Sequence, residues 1–295
     1  MSPTIFLFSP SPSTYLLRTR SIDACMRAFE KGKPFNDEKN WYFSFLNLFT
    51  SKLRAHDTRT AAGYEDATDG TDDDRIMLFN ESDRVLKAME KKFRESSRVW
   101  LAHVELLLGR HAHENRNSIA MDTDANLNTK YLNAARSVLD RSLVSLPQRK
   151  HLSMITSAGV QFYAQPGGAH VASGIFEEIL ANSPKRVDVW SVYIDQEAKL
   201  ARKKRTTSHV TDDAEYAQSL ARVRLLYDRV TALDLKPKKM KLLFKKYLDF
   251  ETKLAKGASG SSGNVGGVVV GEERIEYVKK RAMDFVEKRL GGGED

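Results

Sequence analysis

The residues of this chain that could do chemistry are mostly basic. Residues 236–256 hold eight lysines and only two acids. Among them, Lys238, Lys241 and Lys245 recur at the spacing of one helix face. A row of ammonium groups can neutralise phosphates and release their counterions. The simpler interpretation is that lysine stems cover a solvated helix surface, so the segment predicts either a phosphate-binding face or an ordinary exposed one.

Basic residues also follow three prolines that are expected to end helices. These turns are Pro147-Gln148-Arg149-Lys150, Pro184-Lys185-Arg186 and Pro237-Lys238-Lys239. Because stacked repeats bring equivalent turns to one edge, we expect the bases to align there. An acidic protein would suit this edge as well as RNA would. The predicted RNA- or partner-binding residues are Arg149, Lys150, Lys185, Arg186, Lys238, Lys239, Lys241, Lys245 and Lys246.

No pattern in the sequence predicts catalysis. His111-Ala112-His113-Glu114 could suggest a metal, but we expect a loop there and no matching cluster elsewhere. Asp69, Asp72, Asp73 and Asp74 lack the EF-hand pattern and indicate a solvated linker. The glycines of 257–271 are not followed by the Lys-Ser/Thr of a phosphate-binding loop. We therefore predict a protein that is not an enzyme, with no metal, cofactor or small-molecule substrate.

Composition narrows the class of partner. The chain has 295 residues and a formal net charge of +8, which favours an acidic partner, with nucleic acid first in line. No apolar run approaches the length of a membrane helix, so we expect no membrane contact. A single cysteine, Cys25, excludes an intrachain disulfide and fits a reducing compartment. Residues 1–22 faintly resemble a transit peptide, and a disordered start is the simpler interpretation.

One phrase that occurs twice indicates the architecture. Residues 189–197 read VWSVYIDQE and residues 243–251 read LFKKYLDFE, so an aromatic, Tyr, Asp and Glu recur in register. A second phrase recurs at 138–141, 175–178 and 226–229: an aliphatic residue, then an aliphatic or aromatic residue, then an acid. Self-similarity of this kind, with apolar residues at helical spacing, predicts stacked helical hairpins.

The repeated residues have predictable packing roles. We expect Trp100 and Trp190 to lie in the core instead of stacking on bases. Tyr247 can pack inward while its hydroxyl reaches a polar partner. Glu251 should pair with a base such as Arg229 on a neighbouring second helix. One hairpin cannot bury its own apolar face, so the units must stack.

The motif Trp-x-x-Tyr-x-x-x-Glu, with the second phrase on the next helix, resembles the half-a-tetratricopeptide (HAT) repeat of RNA-processing factors. Longer strings at 135–151, 183–197, 238–247 and 276–279 are similar to the C-terminal HAT region of a family of large ribosomal-RNA biogenesis factors. These factors carry tandem OB-fold repeats and are known as the programmed cell death protein eleven family. The resemblance covers about residues 82–290 and is weak over 1–80.

The pattern and the resemblance together predict an all-α, right-handed superhelical solenoid of antiparallel helical hairpins, HAT/TPR-like. The resemblance implies a scaffold in the nucleus, at the nucleolus, within the small-subunit processome. Its implied partners are precursor rRNA and processome proteins, and the family has no catalytic residues to carry over. The OB-fold repeats are absent from this sequence, so we expect a fragment, a truncated gene model or one half of a split protein.

Composition also divides the chain into parts. The predicted parts are a poorly ordered segment 1–35, eroded HAT hairpins 36–110 with an acidic insertion 56–74, HAT hairpins 129–256 with an insertion 201–213, a Gly/Ser linker 257–271 and a C-terminal capping helix 272–290. Two alternative functions stay open. One is a HAT scaffold in mRNA splicing or 3′-end processing, and the other is a TPR-like protein-binding adaptor without RNA contact.

Overall fold

Helices account for nearly all of the structure. The computed structural model describes residues 22–32, 37–61, 72–121, 129–207, 213–258, 264–265, 268–269 and 271–290. Predictions that fall on residues 1–21, and on most of the Gly/Ser linker, lie outside these described residues. Within them there are eleven helices and one pair of two-residue strands. None of these helices is long and apolar enough to cross a membrane.

The chain divides into two compact units, Met1–Pro166 and Gly167–Asp295. The helices of the first unit are α1 (Ile22–Gly32), α2 (Glu38–Ala61), α3 (Asp72–Lys92), α4 (Ser97–Met121), α5 (Lys130–Ser145) and α6 (Gln148–Tyr163). Each helix from α2 onward packs against the next, and α4 also packs against α6. Contacts between neighbours in sequence and between next-nearest helices are those of stacked helical hairpins.

The second unit also consists of helices that pack in chain order. Its helices are α7 (Gly168–Asn182), α8 (Val187–Thr207), α9 (Asp213–Thr231), α10 (Pro237–Ala258) and α11 (Glu272–Leu290). Consecutive helices again pack together along this series. Between α10 and α11, β1 (Asn264–Val265) pairs antiparallel with β2 (Val268–Val269). The prediction of an all-α helical-repeat fold is confirmed, whereas the right-handed superhelix and the boundaries of the predicted parts stay predictions.

Prolines separate helices as the sequence indicates. Pro147 lies between α5 and α6, Pro184 lies between α7 and α8, and Pro237 is the first residue of α10. Proline lacks the N–H that a helix interior needs, but its fixed φ suits a first turn. The basic residues after Pro147 and Pro237 therefore lie in the first turns of α6 and α10, whereas Lys185 and Arg186 lie in the turn before α8.

Two tryptophans make the same contact in the two units. The Trp100 indole Nε1 donates to the carbonyl of Arg94 at 2.8 Å, and Trp190 Nε1 donates to the carbonyl of Pro184 at 2.8 Å. Their exposed fractions are 4% and 2%. Each indole thus fixes the turn that precedes its own helix. The prediction that Trp100 and Trp190 are core residues is confirmed.

Two predicted loops are helical, and both predictions were wrong. Asp72-Asp73-Asp74 begin α3 instead of forming a linker, because carboxylates in a first turn favour the positive end of the helix dipole. His111-Ala112-His113-Glu114 lie inside α4. His111 is buried, and its Nε2 bonds to the Pro166 carbonyl at 2.9 Å. Its ring therefore serves packing within the first unit.

Candidate nucleic-acid and partner interface

Helix α10 positions the largest group of predicted site residues. Its apolar positions Met240, Leu243 and Tyr247 are fully buried. Because these recur every three or four residues, they fix the rotation of the helix against its neighbours. The opposite face is thereby turned toward solvent.

Four of the predicted lysines occupy that solvent-facing side. Lys238, Lys239, Lys241 and Lys245 are all exposed. Within the described part of the chain, none of them forms an ion pair with an acid. Leu242 lies among them and is 50% exposed. This surface, which we call the lysine face, offers uncompensated positive charge beside one apolar side chain.

Lys246 lies at the border of the lysine face and is partly occupied. Its side chain is only half-buried, and its Nζ lies 3.7 Å from Asp195 Oδ2 of α8. Its backbone carbonyl accepts a hydrogen bond from the Tyr227 hydroxyl at 3.4 Å. Part of the charge of Lys246 is therefore balanced within the second unit.

The two bases of the Pro184 turn differ from each other. Lys185 is exposed and has no acidic partner among the described residues. Arg186 forms a bidentate pair with Asp188, with Nε–Oδ1 and Nη2–Oδ2 distances of 3.0 and 2.6 Å. The Arg186 guanidinium lowers the pKa of the Asp188 carboxyl. Lys185 is thus the base that this turn leaves available.

At the Pro147 turn of the first unit, one base is likewise exposed and the other is held by a contact within the unit. Arg149 is exposed, whereas Lys150 is half-buried and its Nζ donates to the carbonyl of Glu95 at 2.6 Å. Lys150 therefore connects α6 to the turn before α4. The alignment of all three basic turns along one edge stays a prediction.

The tyrosine of the repeated phrase makes equivalent contacts in both copies. Tyr193 stacks on Phe176 with ring centroids 5.2 Å apart, and its hydroxyl donates to Glu177 Oε1 at 3.2 Å. Tyr247 stacks on Tyr227 with ring centroids 4.4 Å apart, and its hydroxyl donates to Asp228 Oδ1 of α9 at 3.2 Å. The prediction of a buried ring whose hydroxyl reaches a polar partner is confirmed.

These polar contacts perturb ionisation in the second unit. Burial raises the pKa of Tyr193 to about 12, and burial likewise raises the pKa of Tyr247. The Arg229 guanidinium bonds to both oxygens of Glu177 at 2.7 and 2.8 Å. This pairing lowers the pKa of Glu177. The network thus holds the Tyr193 phenol and the Arg229 guanidinium against the same carboxylate.

The predicted partner of Glu251 was wrong. Glu251 is buried and pairs with Arg224, with both N–O distances at 2.8 Å. Arg229, the partner expected from the sequence, lies on the same helix but bonds to Glu177 instead. Arg224 and Arg229 are five positions apart, which is not a whole number of helical turns. Their guanidinium groups therefore leave α9 on different sides and reach different neighbours.

Helix α11 closes the second unit with arginines that sequence reasoning missed. Arg274 Nη2 donates to the Tyr247 hydroxyl at 2.7 Å and to Asp228 Oδ2 at 3.2 Å. Arg281 Nη1 donates to the other Asp228 oxygen at 2.5 Å. Arg274 and Arg281 are two helical turns apart and so share one face of α11. That spacing was the available signal, but it does not reveal which acid the face contacts.

Stacked helical hairpins, a buried aromatic-acid network and an exposed lysine face define a helical-repeat protein with a basic surface. No protein-family model matches the chain. It is 28% identical over 268 residues to the rRNA biogenesis protein RRP5 of Arabidopsis thaliana, covering 91% of this chain and 10% of that protein. The chain therefore spans about a tenth of the length of this relative.

Animal relatives give the same result over shorter stretches. The chain is 30% identical over 217 residues to the RRP5 homolog of Mus musculus, covering 74% of this chain and 9% of the relative. It is 35% identical over 173 residues to the RRP5 homolog of Homo sapiens, covering 59% of this chain and 7% of the relative. Homologues named RRP5 thus cover much of the chain. The predicted resemblance to large rRNA biogenesis factors is confirmed, and the matches are consistent with their C-terminal region.

Proposed function

We propose that this chain is a non-enzymatic scaffold in ribosome biogenesis, acting in the nucleolus. Within the small-subunit processome it would support the processing of small-subunit precursor rRNA. The observation that carries the proposal is the match of 91% of the chain to a protein named for rRNA biogenesis. A helical-repeat fold suits this role because stacked hairpins present extended surfaces to partners.

The lysine face is the proposed contact surface. Lys238, Lys241 and Lys245 are exposed, unpaired with acids within the described residues, and carried by a helix whose other side is firmly packed. Phosphates of precursor rRNA, or acidic segments of processome proteins, would complement such a surface. Lys185 and Arg149 add exposed positive charge at equivalent turns. Phosphate contact requires no catalytic group, which agrees with a scaffold.

The proposal is tested by measuring RNA affinity of the full chain at several salt concentrations. Affinity should fall steeply with salt, and the triple variant Lys238→Glu, Lys241→Glu, Lys245→Glu should bind at least about tenfold more weakly. A matched control reverses three other exposed lysines of the second unit, Lys253, Lys280 and Lys288. The control should bind much more like the unmodified chain. If the first triple variant unfolds, the lysines are structural and the interface is misassigned.

Two alternatives remain distinguishable by experiment. A TPR-like adaptor would keep its protein partners and bind no RNA, because its contacts would be made to peptide. A HAT scaffold of mRNA splicing or 3′-end processing would co-purify with spliceosomal RNA instead of precursor rRNA. The relatives named for rRNA biogenesis favour the ribosomal role over both.

A further inference from the structure

The first unit contains a second, more concave basic site. An open cavity of about 640 Å³ lies between the start of α2, the end of α3, the start of α4 and α6. Its basic lining residues are Lys39, Lys91, Lys92, Arg94, Arg98 and Lys150. Glu95 is the one acid in the lining. We call this the basic cavity. Such a concentration of one charge in a concave site raises the local concentration of anions.

An ordered turn, residues 93–96, lines part of the basic cavity. The backbone N–H of Ser96 donates to the Phe93 carbonyl at 2.9 Å. The Trp100 indole holds the carbonyl of Arg94, and Lys150 holds the carbonyl of Glu95. The carbonyl groups of three successive residues, Phe93, Arg94 and Glu95, are therefore each held by a hydrogen bond. Cations that project from a fixed turn lose less conformational freedom when they bind a ligand.

Several of the cations remain available to a ligand. Lys39, Lys91, Arg94 and Arg98 are exposed, and none has an acidic partner within the described part of the chain. Arg98 lies over the Phe43 ring, with its guanidinium carbon 4.1 Å from the ring centroid. Only Lys92 pairs with a carboxylate, that of Glu38. The cavity therefore keeps a substantial net positive charge.

Helix α4 adds to this field. It begins at Ser97, which lines the cavity, and it is 25 residues long. The positive end of its dipole and its first backbone N–H groups are therefore at the cavity wall. Together with the surrounding cations, this end of the helix favours an anion with several acceptor oxygens. A phosphate group has that chemistry.

We propose that the basic cavity binds the phosphodiester backbone of an RNA strand. This inference rests on the proposed function and adds a contact site in the first unit, separate from the lysine face of the second. An acidic peptide suits the cavity less well, because Phe93 is the one large apolar residue in its lining and peptide binding relies on apolar anchors. Ser96 and Ser97 instead supply hydroxyl donors beside the cations.

The test is fluorescence anisotropy of the full chain with a labelled single-stranded oligoribonucleotide. The variant Lys91→Glu with Arg94→Glu should bind roughly tenfold or more weakly than the unmodified chain. The slope of log affinity against log salt should become shallower by about one for each phosphate group that the variant no longer neutralises. The milder variant Lys39→Gln with Lys91→Gln should show the same trend with an unchanged melting temperature. The control Lys253→Glu with Lys280→Glu reverses two exposed charges of the other unit.

Three outcomes would overturn the inference. The first is RNA affinity within twofold of the unmodified chain for both cavity variants. The second is absence of RNA binding by the full chain, and the third is displacement of the RNA by a polyglutamate peptide that binds more tightly. A failure of the proposed function is separate, because it would appear as normal precursor-rRNA levels after depletion of the protein. Weaker RNA binding by the cavity variants would support the inference in either case.

Discussion

Arg224 and Glu251 form a bidentate ion pair in the interior of the second unit, with both N–O distances at 2.8 Å and side-chain exposures of 10% and 1%. Glu251 is the last residue of the repeated phrase. Its carboxylate joins α10 to α9 and is not directed to solvent. The acidic end of the repeated phrase is therefore used for packing between α9 and α10.

Removal of Arg224 should destabilise the second unit strongly. In Arg224→Met, Glu251 would keep only Arg274, whose Nε lies 3.7 Å away, so its buried charge would be poorly compensated. We expect a decrease of about 3–5 kcal/mol in the free energy of unfolding, measured by urea denaturation. The control Glu105→Gln breaks the exposed pair with Arg54 and should cost less than about 1 kcal/mol. Equal effects of the two variants would refute the importance of burial.

The Tyr247 hydroxyl is predicted to be worth more than that of an exposed tyrosine. It donates to Asp228 and accepts from Arg274, so Tyr247→Phe leaves two half-buried side chains with one hydrogen bond fewer, although each keeps another partner. The expected decrease in the free energy of unfolding is about 0.5–1.5 kcal/mol. Tyr277→Phe is the control, since that ring is 38% exposed, and it should be close to neutral. A neutral Tyr247→Phe would show that the network does not stabilise the unit.

The stability of the first unit should depend on pH through His103. This buried ring bonds through Nε2 to Asp83 at 2.8 Å and through Nδ1 to Glu90. Burial disfavours the charged ring, but hydrogen bonds to the two carboxylates outweigh burial and raise the pKa of His103 above 6.5. Arg141 also faces Glu90, and Lys87 faces Asp83.

The sign of this dependence follows from the direction of the shift. Because the folded unit holds the His103 proton more tightly, the stabilisation is complete below about pH 6.5 and disappears as pH rises through the raised pKa. The melting temperature of the unmodified chain should therefore fall between pH 6 and 9, as His103 loses its proton. In His103→Asn that contribution to the slope should vanish, whatever the absolute stability of the variant. An identical slope in both proteins would contradict the assignment.

Asp83 makes the stability of the first unit depend on pH in the opposite direction, at acid pH. Burial alone would raise the pKa of this carboxyl, but hydrogen bonds from His103 and Lys87 lower it to about 2. Its stabilisation is present above about pH 3.8 and disappears as pH falls toward 2. Asp83→Asn should flatten acid unfolding over that interval, as followed by circular dichroism. If Asp83→Asn unfolds over this pH interval as the unmodified chain does, other carboxylates cause the acid unfolding.

Sequence reasoning could predict those features that depend on local spacing. Helices, proline-ended turns and the buried Trp190 all follow from periodicity and from the limits of proline geometry. The partner of Glu251 could not be predicted, because α9 offers both Arg224 and Arg229 and the choice depends on how the helix is rotated in the folded unit. Spacing sets which residues share a face, but not which face meets which neighbour.

The basic cavity was missed for a related reason. Lys39, Lys91 and Lys150 come from three different helices that are far apart in the sequence. Each is an ordinary surface lysine within its own segment. Only the packing of α2, α3, α4 and α6 brings them to one concavity. The lysine face was found because its members lie on a single helix.

The proposed role of this helical scaffold, with its exposed lysine face, is to support small-subunit rRNA processing. Its most direct test is the level of unprocessed small-subunit precursor rRNA in cells depleted of the protein. We expect precursor to accumulate, to return to normal with the unmodified protein, and to stay high with Lys238→Glu, Lys241→Glu, Lys245→Glu expressed at an equal level. Normal precursor levels after depletion would rule out this role for the protein, and full rescue by the triple variant would rule it out for the lysine face.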